Sequence, residues 1–197
     1  MQKILEYGLH ILPYFLFSFP FLFILRLLYR KRTKKWNKIN FYHEVAFYLF
    51  AMFLVGLASQ TILPSFEIGT AGFQIVLAGT GGINLRLFQV FPDTVHEVFT
   101  NGNWNYLIIN FLGNLVMFMP IGFFPPLLWK KVKLRHAALL GFCTSLLIES
   151  VQLLIARGSD VDDLWLNALG AVMGYAVYQL VIGLLPRWTQ KFRQEEP

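Results

Sequence analysis

Long apolar runs broken by short polar clusters set the pattern of this chain. Five runs, about Tyr7–Leu28, Phe41–Leu63, Trp104–Leu128, Ala137–Ala156 and Leu164–Leu185, reach the ~20 residues that a helix needs to cross a hydrocarbon core of ~30 Å. They predict an all-α membrane protein, a bundle of five transmembrane helices. Asn110, Asn114, Glu149, Gln152, Arg157, Asp160, Asp162, Asp163 and Asn167 interrupt the last three runs or the loop between them. Lipid does not tolerate such groups unpaired, because an ionisable side chain at depth is costly unless a partner or water meets it. The spacing puts them on shared helix faces: Asn110 and Asn114 at i, i+4, Glu149 and Gln152 at i, i+3, and Asp163, Asn167, Gly170 and Gly174 at i, i+4, i+7 and i+11. Three crossings are therefore expected to gather their polar side chains into one chamber.

Local signals refine each element. Pro13 and Pro20 predict bends in the first span. Pro120 forfeits its hydrogen bond to the carbonyl of Val116, which predicts a bend near mid-membrane and room for a cavity opening outward. Glu149 stands seven residues before Ala156, roughly 10 Å below the outer boundary at 1.5 Å per residue. Ser159 or Asp160 is placed to cap the fifth helix, and Asp162 and Asp163 in its first turn suit the helix dipole. Gly170 and Gly174 form a Gly-x-x-x-Gly face that predicts close packing against the third or fourth helix. In the longest connection, Phe73–Ala78 and Ile83–Phe88 flank a Gly-rich turn over 79–82, which reads as a short β-hairpin or an irregular interfacial loop. Asp93–Phe99 fits one or two turns of interfacial helix. Trp36, Trp104, Trp129, Trp165 and Trp188 fall near span ends and read as interfacial anchors. The resulting division is residues 1–63, two helices joined by a basic loop; 64–103, a connection; 104–185, a three-helix core; and 186–197, a tail.

Composition agrees with the membrane class. Of the 197 residues 56% are hydrophobic and only 14% charged, and the mean hydropathy is +0.52. The net charge of +6 does not indicate nucleic acid, because the basic residues sit in short clusters between apolar spans. Arg26, Arg30, Lys31, Arg32, Lys34, Lys35 and Lys38 fall on one side of the predicted membrane. Lys130, Lys131, Lys133, Arg135, Arg187, Lys191 and Arg193 join them there, leaving Lys3, Arg86 and Arg157 opposite. Positive residues favour the cytoplasmic side, which places the N-terminus outside, the C-terminus in the cytoplasm and residues 64–103 in an extracellular connection of a multi-pass plasma-membrane protein. The first span is too long for a secretory signal and lacks a cleavage site, so it is expected to remain. Cys143 is the one cysteine, which rules out an intramolecular disulfide and a thiolate metal cluster. His43 and Glu44, near a span end, suit an interfacial ion pair or hydrogen bond.

Several motifs in a fixed order then resemble the VanZ-like family of bacterial membrane proteins, associated with resistance to the glycopeptide teicoplanin. They are Asn84-Leu85-x-x-Phe88; Asn110 with Asn114-x-x-x-Phe118-x-Pro120-x-Gly122; Glu149-x-x-Gln152; and Gly158-x-Asp160-x-x-Asp163-x-x-x-Asn167-x-x-Gly170-x-x-x-Gly174. Together they cover roughly residues 83–178. Leu87 stands where the family's first motif has proline. The resemblance implies a bacterial envelope protein that lowers susceptibility to teicoplanin-like antibiotics, and it supplies a phenotype more readily than a reaction.

Three functions follow from the polar set. In the first, a non-enzymatic, outward-facing pocket of Asn110, Asn114, Glu149, Gln152, Arg157, Asp160, Asp163 and Asn167 binds an amphiphile in the bilayer: a phospholipid head, a lipid-linked wall precursor or an acyl-glycopeptide. In the second, an intramembrane enzyme acts on a lipid-linked or phospholipid substrate with Glu149 as catalytic acid or base, and Asp160 and Asp163 hold a hard divalent metal. Against that stand the absence of His-Glu-x-x-His, Gly-x-Ser-x-Gly or a Cys/His pair. A small proton-coupled carrier is the third, and the chain shows no inverted repeat for it. Beside these, Asn110, Asn114, Gln152 and Asn167 also suit plain interhelical hydrogen bonding.

Overall fold

The computed structural model describes residues 2–33, 40–69, 72–76 and 81–193. Five helices among them are long and apolar enough to cross a membrane: Ile11–Arg32, Phe41–Thr61, Trp104–Leu128, Leu134–Leu154 and Val161–Leu184. The all-α membrane architecture expected from the apolar runs is thus present. Large apolar side chains on these helices are outward and bare, among them Phe17, Val116, Leu147, Leu154 and Leu180. Patches of that size are untenable in water and ordinary in lipid. The chain divides into two compact units, Met1–Ala78 and Gly79–Pro197.

The first unit pairs α1 (Gln2–Arg32) with α2 (Phe41–Thr61). Helix α1 runs on through Pro13 and Pro20. Asn40 starts α2 by accepting the His43 N–H at 3.3 Å. Glu44 binds two arginines of α1, accepting from Arg26 Nε at 3.1 Å and Nη2 at 2.8 Å and pairing with Arg30 Nη2 at 2.5 Å. The Arg26 guanidinium also lies 4.3 Å from the Phe47 ring centroid, a cation–π contact. This is the ion pair that the position of Glu44 predicts.

A β-hairpin follows, but not with the predicted partners. Strands β1 (Ser65–Gly69) and β2 (Gly72–Val76) are antiparallel, with Ser65 opposite Val76 and Gly69 opposite Gly72. The segment beginning at Phe73 is extended as expected, yet it pairs with the residues before it. Ile83–Asn84, β3, pairs instead in parallel with Ser159–Asp160, β4. Gly81 explains the difference: a methyl group there would lie 1.9 Å from the backbone nitrogen of Gly158. Gly81 therefore serves close approach of two backbones rather than a hairpin turn. Residues 77–80 lie outside the described residues.

In the second unit β3 is followed by α3 (Val90–Phe99), which contains the helical turns expected over Asp93–Phe99. The third span consists of α4 (Trp104–Tyr106), a π-helical stretch (Leu107–Leu112) and α5 (Gly113–Leu128). Its irregularity lies ahead of Pro120, through which α5 stays helical. Then come α6 (Leu134–Leu154), α7 (Val161–Leu184) and the short α8 (Pro186–Gln190).

Glycines set the packing. A methyl at Gly170 would lie 2.4 Å from the Leu115 carbonyl oxygen, one at Gly174 1.9 Å from that of Met119, and one at Gly122 1.7 Å from that of Ala171. Helices α5 and α7 therefore run parallel in backbone contact, as the Gly-x-x-x-Gly face predicts. Helix α6 runs antiparallel to both, with Gly141 set against Ala171.

Candidate functional site

The polar residues converge where α7 begins. Asp160 ends β4 and caps α7, its Oδ1 accepting the Asp162 N–H at 2.8 Å, so of the two predicted caps the aspartate serves. Its Oδ2 accepts from Asn84 Nδ2 at 3.0 Å, beside the parallel pairing of β3 with β4. Two residues on, Asp162 is 1% exposed. It accepts the backbone N–H groups of Phe88 (Oδ1, 2.5 Å) and Val90 (Oδ2, 2.7 Å) and the Trp165 indole N–H (2.9 Å). Helix α3 has no side-chain cap of its own at Gln89, and its first N–H groups need an acceptor. Asp162 supplies it from α7.

Aromatic stacking seals the same junction. Phe91 of α3 stacks on Trp165 with centroids 5.6 Å apart and meets Phe111 at 5.9 Å, and Phe88 lies 5.5 Å from Trp165. Trp165 is therefore part of the α3 docking site, whereas the sequence pattern assigns it as a lipid-interface anchor.

In the same first turn of α7, Asp163 Oδ1 accepts from Asn114 Nδ2 at 2.5 Å, and the same amide donates to the Asn110 carbonyl at 3.2 Å. Ser145 of α6 donates to the Asp163 carbonyl at 3.2 Å and accepts from Asn167 Nδ2 at 2.9 Å. Asn167 is thus a tie between α6 and α7. Glu149 is buried at 6% exposure, and its Oε2 accepts both the Ser159 hydroxyl at 2.7 Å and the Asp160 N–H at 2.9 Å. It anchors the β4 turn from behind. The backbone carbonyl of Gln152 accepts the backbone N–H of Arg157 at 3.0 Å.

These elements enclose an open cavity of about 570 Å³, lined by Gly82, Ile83, Asn84, Val90, Asp93, Tyr106, Ile109, Asn110, Asn114, Met117, Gly158, Ser159, Asp160, Asp162 and Asp163. Of the residues predicted as a site, Asn110, Asn114, Asp160 and Asp163 line it. Glu149 reaches it only through Ser159 and Asp160. Gln152, Arg157 and Asn167 are not among the lining residues. Asn84, Asp93, Tyr106, Ser159 and Asp162 complete the wall and were not in that set. Asn84 had a signal, since it stands in the first motif; Asp93 had none beyond being an acid on an amphipathic helix.

The wall is mixed in character: four carboxylates and three amides stand around the start of α7, and on the third span Ile109 and Met117 flank Asn110 and Asn114. From Tyr106 to Met117 the cavity follows that span for roughly 16 Å at 1.5 Å per residue. The π-helical stretch covers Leu107–Leu112, and such stretches are frequent at functional sites. For the predicted metal, Asp160 turns both oxygens to hydrogen-bond donors. No group of three or more His, Cys, Asp or Glu among the described residues is placed to hold an ion.

No curated protein and no solved structure matches the chain. A family model described as VanZ/LLP1 matches residues 45–182, more than half of the sequence and every residue of the cavity wall. With motifs and cavity inside that match, the chain belongs to the VanZ/LLP1 family.

Proposed function

We propose that this protein is a bacterial plasma-membrane protein that lowers susceptibility to teicoplanin-like glycopeptides by holding the head of an amphiphile in the cavity at the start of α7. One observation carries the reading: carboxylates and amides share one cavity wall with the apolar side chains Ile109 and Met117 of a membrane span. A polar head with an attached chain matches such a mixed wall better than a small hydrophilic solute does. The distribution of basic residues supports a cavity at the outer leaflet, with the N-terminus outside and the C-terminus cytoplasmic. Lipid-linked wall precursors, phospholipids and acyl-glycopeptides are amphiphiles available there.

The enzymatic alternative has less support, because Glu149 stands behind the cavity wall with its Oε2 bonded to Ser159 and Asp160. The test is expression in a teicoplanin-susceptible Gram-positive host. The wild-type chain raises the inhibitory concentration of an acylated glycopeptide more than that of one without the acyl chain. Asn110→Trp, which fills the cavity from an exposed position, abolishes the effect at equal membrane abundance. Full activity of that variant refutes the cavity reading.

A further inference from the structure

The hydrogen-bonding character of the cavity goes further than its shape and narrows the chemistry of the head. Resting on the binding reading above, we infer that the group held at the start of α7 is a donor-rich head without negative charge, best met by an ammonium, and that any phosphate of the same amphiphile stays outside. Several amide donors of the wall are already spent within it: Asn84 Nδ2 gives one N–H to Asp160, and Asn114 Nδ2 bonds to Asp163 and to the Asn110 carbonyl. Tyr106, the Asn110 amide and the second N–H of Asn84 are the side-chain donors that remain for a ligand.

Acceptors are in excess. Asp93 turns Oδ1 to Gln89 Nε2 at 2.7 Å and Asp163 turns Oδ1 to Asn114, and a carboxylate accepts up to about four hydrogen bonds. No lysine, arginine or histidine is among the lining residues. A phosphate entering here would meet four aspartates with no cation and few donors, the reverse of what phosphate sites provide. An ammonium brings three donors and the opposite charge to the same place. The apolar wall at Ile109 and Met117 takes the chain that carries it.

The experiment is calorimetric titration of the full chain in phosphatidylcholine nanodiscs, against empty nanodiscs, with three probes sharing one alkyl chain: dodecylammonium, dodecyl glucoside and dodecyl phosphate. Dodecylammonium is expected to bind at least about tenfold more tightly than dodecyl phosphate, with the glucoside between them. Asp93→Asn and Asp163→Asn each reduce the ammonium affinity and leave the phosphate no weaker; Asp93, on α3 away from the helix contacts, guards against a folding defect in the second variant. Ethylammonium without a chain is expected to bind weakly, and calcium chloride is expected not to displace dodecylammonium. Equal or tighter binding of the phosphate, indifference of the ammonium to Asp93→Asn, or displacement by calcium overturns the inference while leaving an amphiphile site. Failure of all three probes, or binding unaffected by Asn110→Trp, overturns the binding reading itself.

Discussion

Replacing Asp162 by alanine should release α3 from the rest of its unit. The carboxylate is the acceptor for the Phe88 and Val90 N–H groups and for the Trp165 indole. At 1% exposure water does not replace it. Hydrogen bonds to a charged group are worth about 1.5–3 kcal/mol each, and leaving buried donors unpaired costs a similar amount. The three are coupled and do not add fully, so about 3 kcal/mol is a conservative loss in local opening free energy. Hydrogen exchange reads this directly, since each 1.4 kcal/mol is a factor of about ten in an opening equilibrium. The Phe88 and Val90 amides should exchange about 100-fold faster in Asp162→Ala in nanodiscs, with amides in the middle of α6 unchanged. Asp162→Asn keeps one acceptor oxygen and should fall between. Unchanged exchange at both amides in the alanine variant would refute the assignment of Asp162 as the anchor of α3.

Four further outcomes follow from the packing and the bonds. Gly174→Ala and Gly122→Ala place a methyl within 2 Å of a carbonyl oxygen and should lower stability by about 1–3 kcal/mol, seen as a lower melting temperature in detergent. Gly183→Ala meets nothing within 4 Å and should stabilise slightly, by about 0.5–1 kcal/mol from helix propensity. Glu149→Gln keeps an oxygen able to accept from Ser159 and Asp160, so it should cost no more than about 1 kcal/mol and retain glycopeptide protection. Loss of protection with the fold intact would instead favour acid–base chemistry. Glu44→Ala strands two arginines, of which Arg30 is 5% exposed. Its cost should fall between the ~1 kcal/mol of a surface pair and the ~3 kcal/mol of a buried one, and Glu44→Gln should recover part of it in the same melting assay.

The spans, the capping aspartate and the glycine face of α7 were legible in the sequence because each is a local pattern with a fixed helical period. The convergence of Asn110, Asn114, Asp160 and Asp163 was legible for a different reason: lipid leaves polar groups few places to go. What the sequence did not disclose is tied to distant partners. The pairing of Asn84 with Asp160 joins residues 76 apart, and a two-residue strand has no periodicity to read. Gly81 carries the same letter whether it makes a turn or lets Gly158 approach, and only the neighbour decides. Asp162 looked like a dipole-compensating first-turn acid, yet its carboxylate faces another helix. Glu149 stood out as an intramembrane acid; its place behind β4 depends on the backbone of a turn ten residues on.

The parallel pairing of β3 with β4 also constrains how the protein is made. Ile83 and Asn84 leave the ribosome long before Ser159 and Asp160, and three spans must be inserted in between or immediately after. At 5–20 residues per second the waiting time is roughly 4–15 s. During that interval Leu85, Leu87 and Phe88, all exposed in the finished fold, have neither strand partner nor the Asp162 anchor. The nascent segment must shelter against the membrane surface or a chaperone until α7 arrives, and the cavity closes only at the end of synthesis.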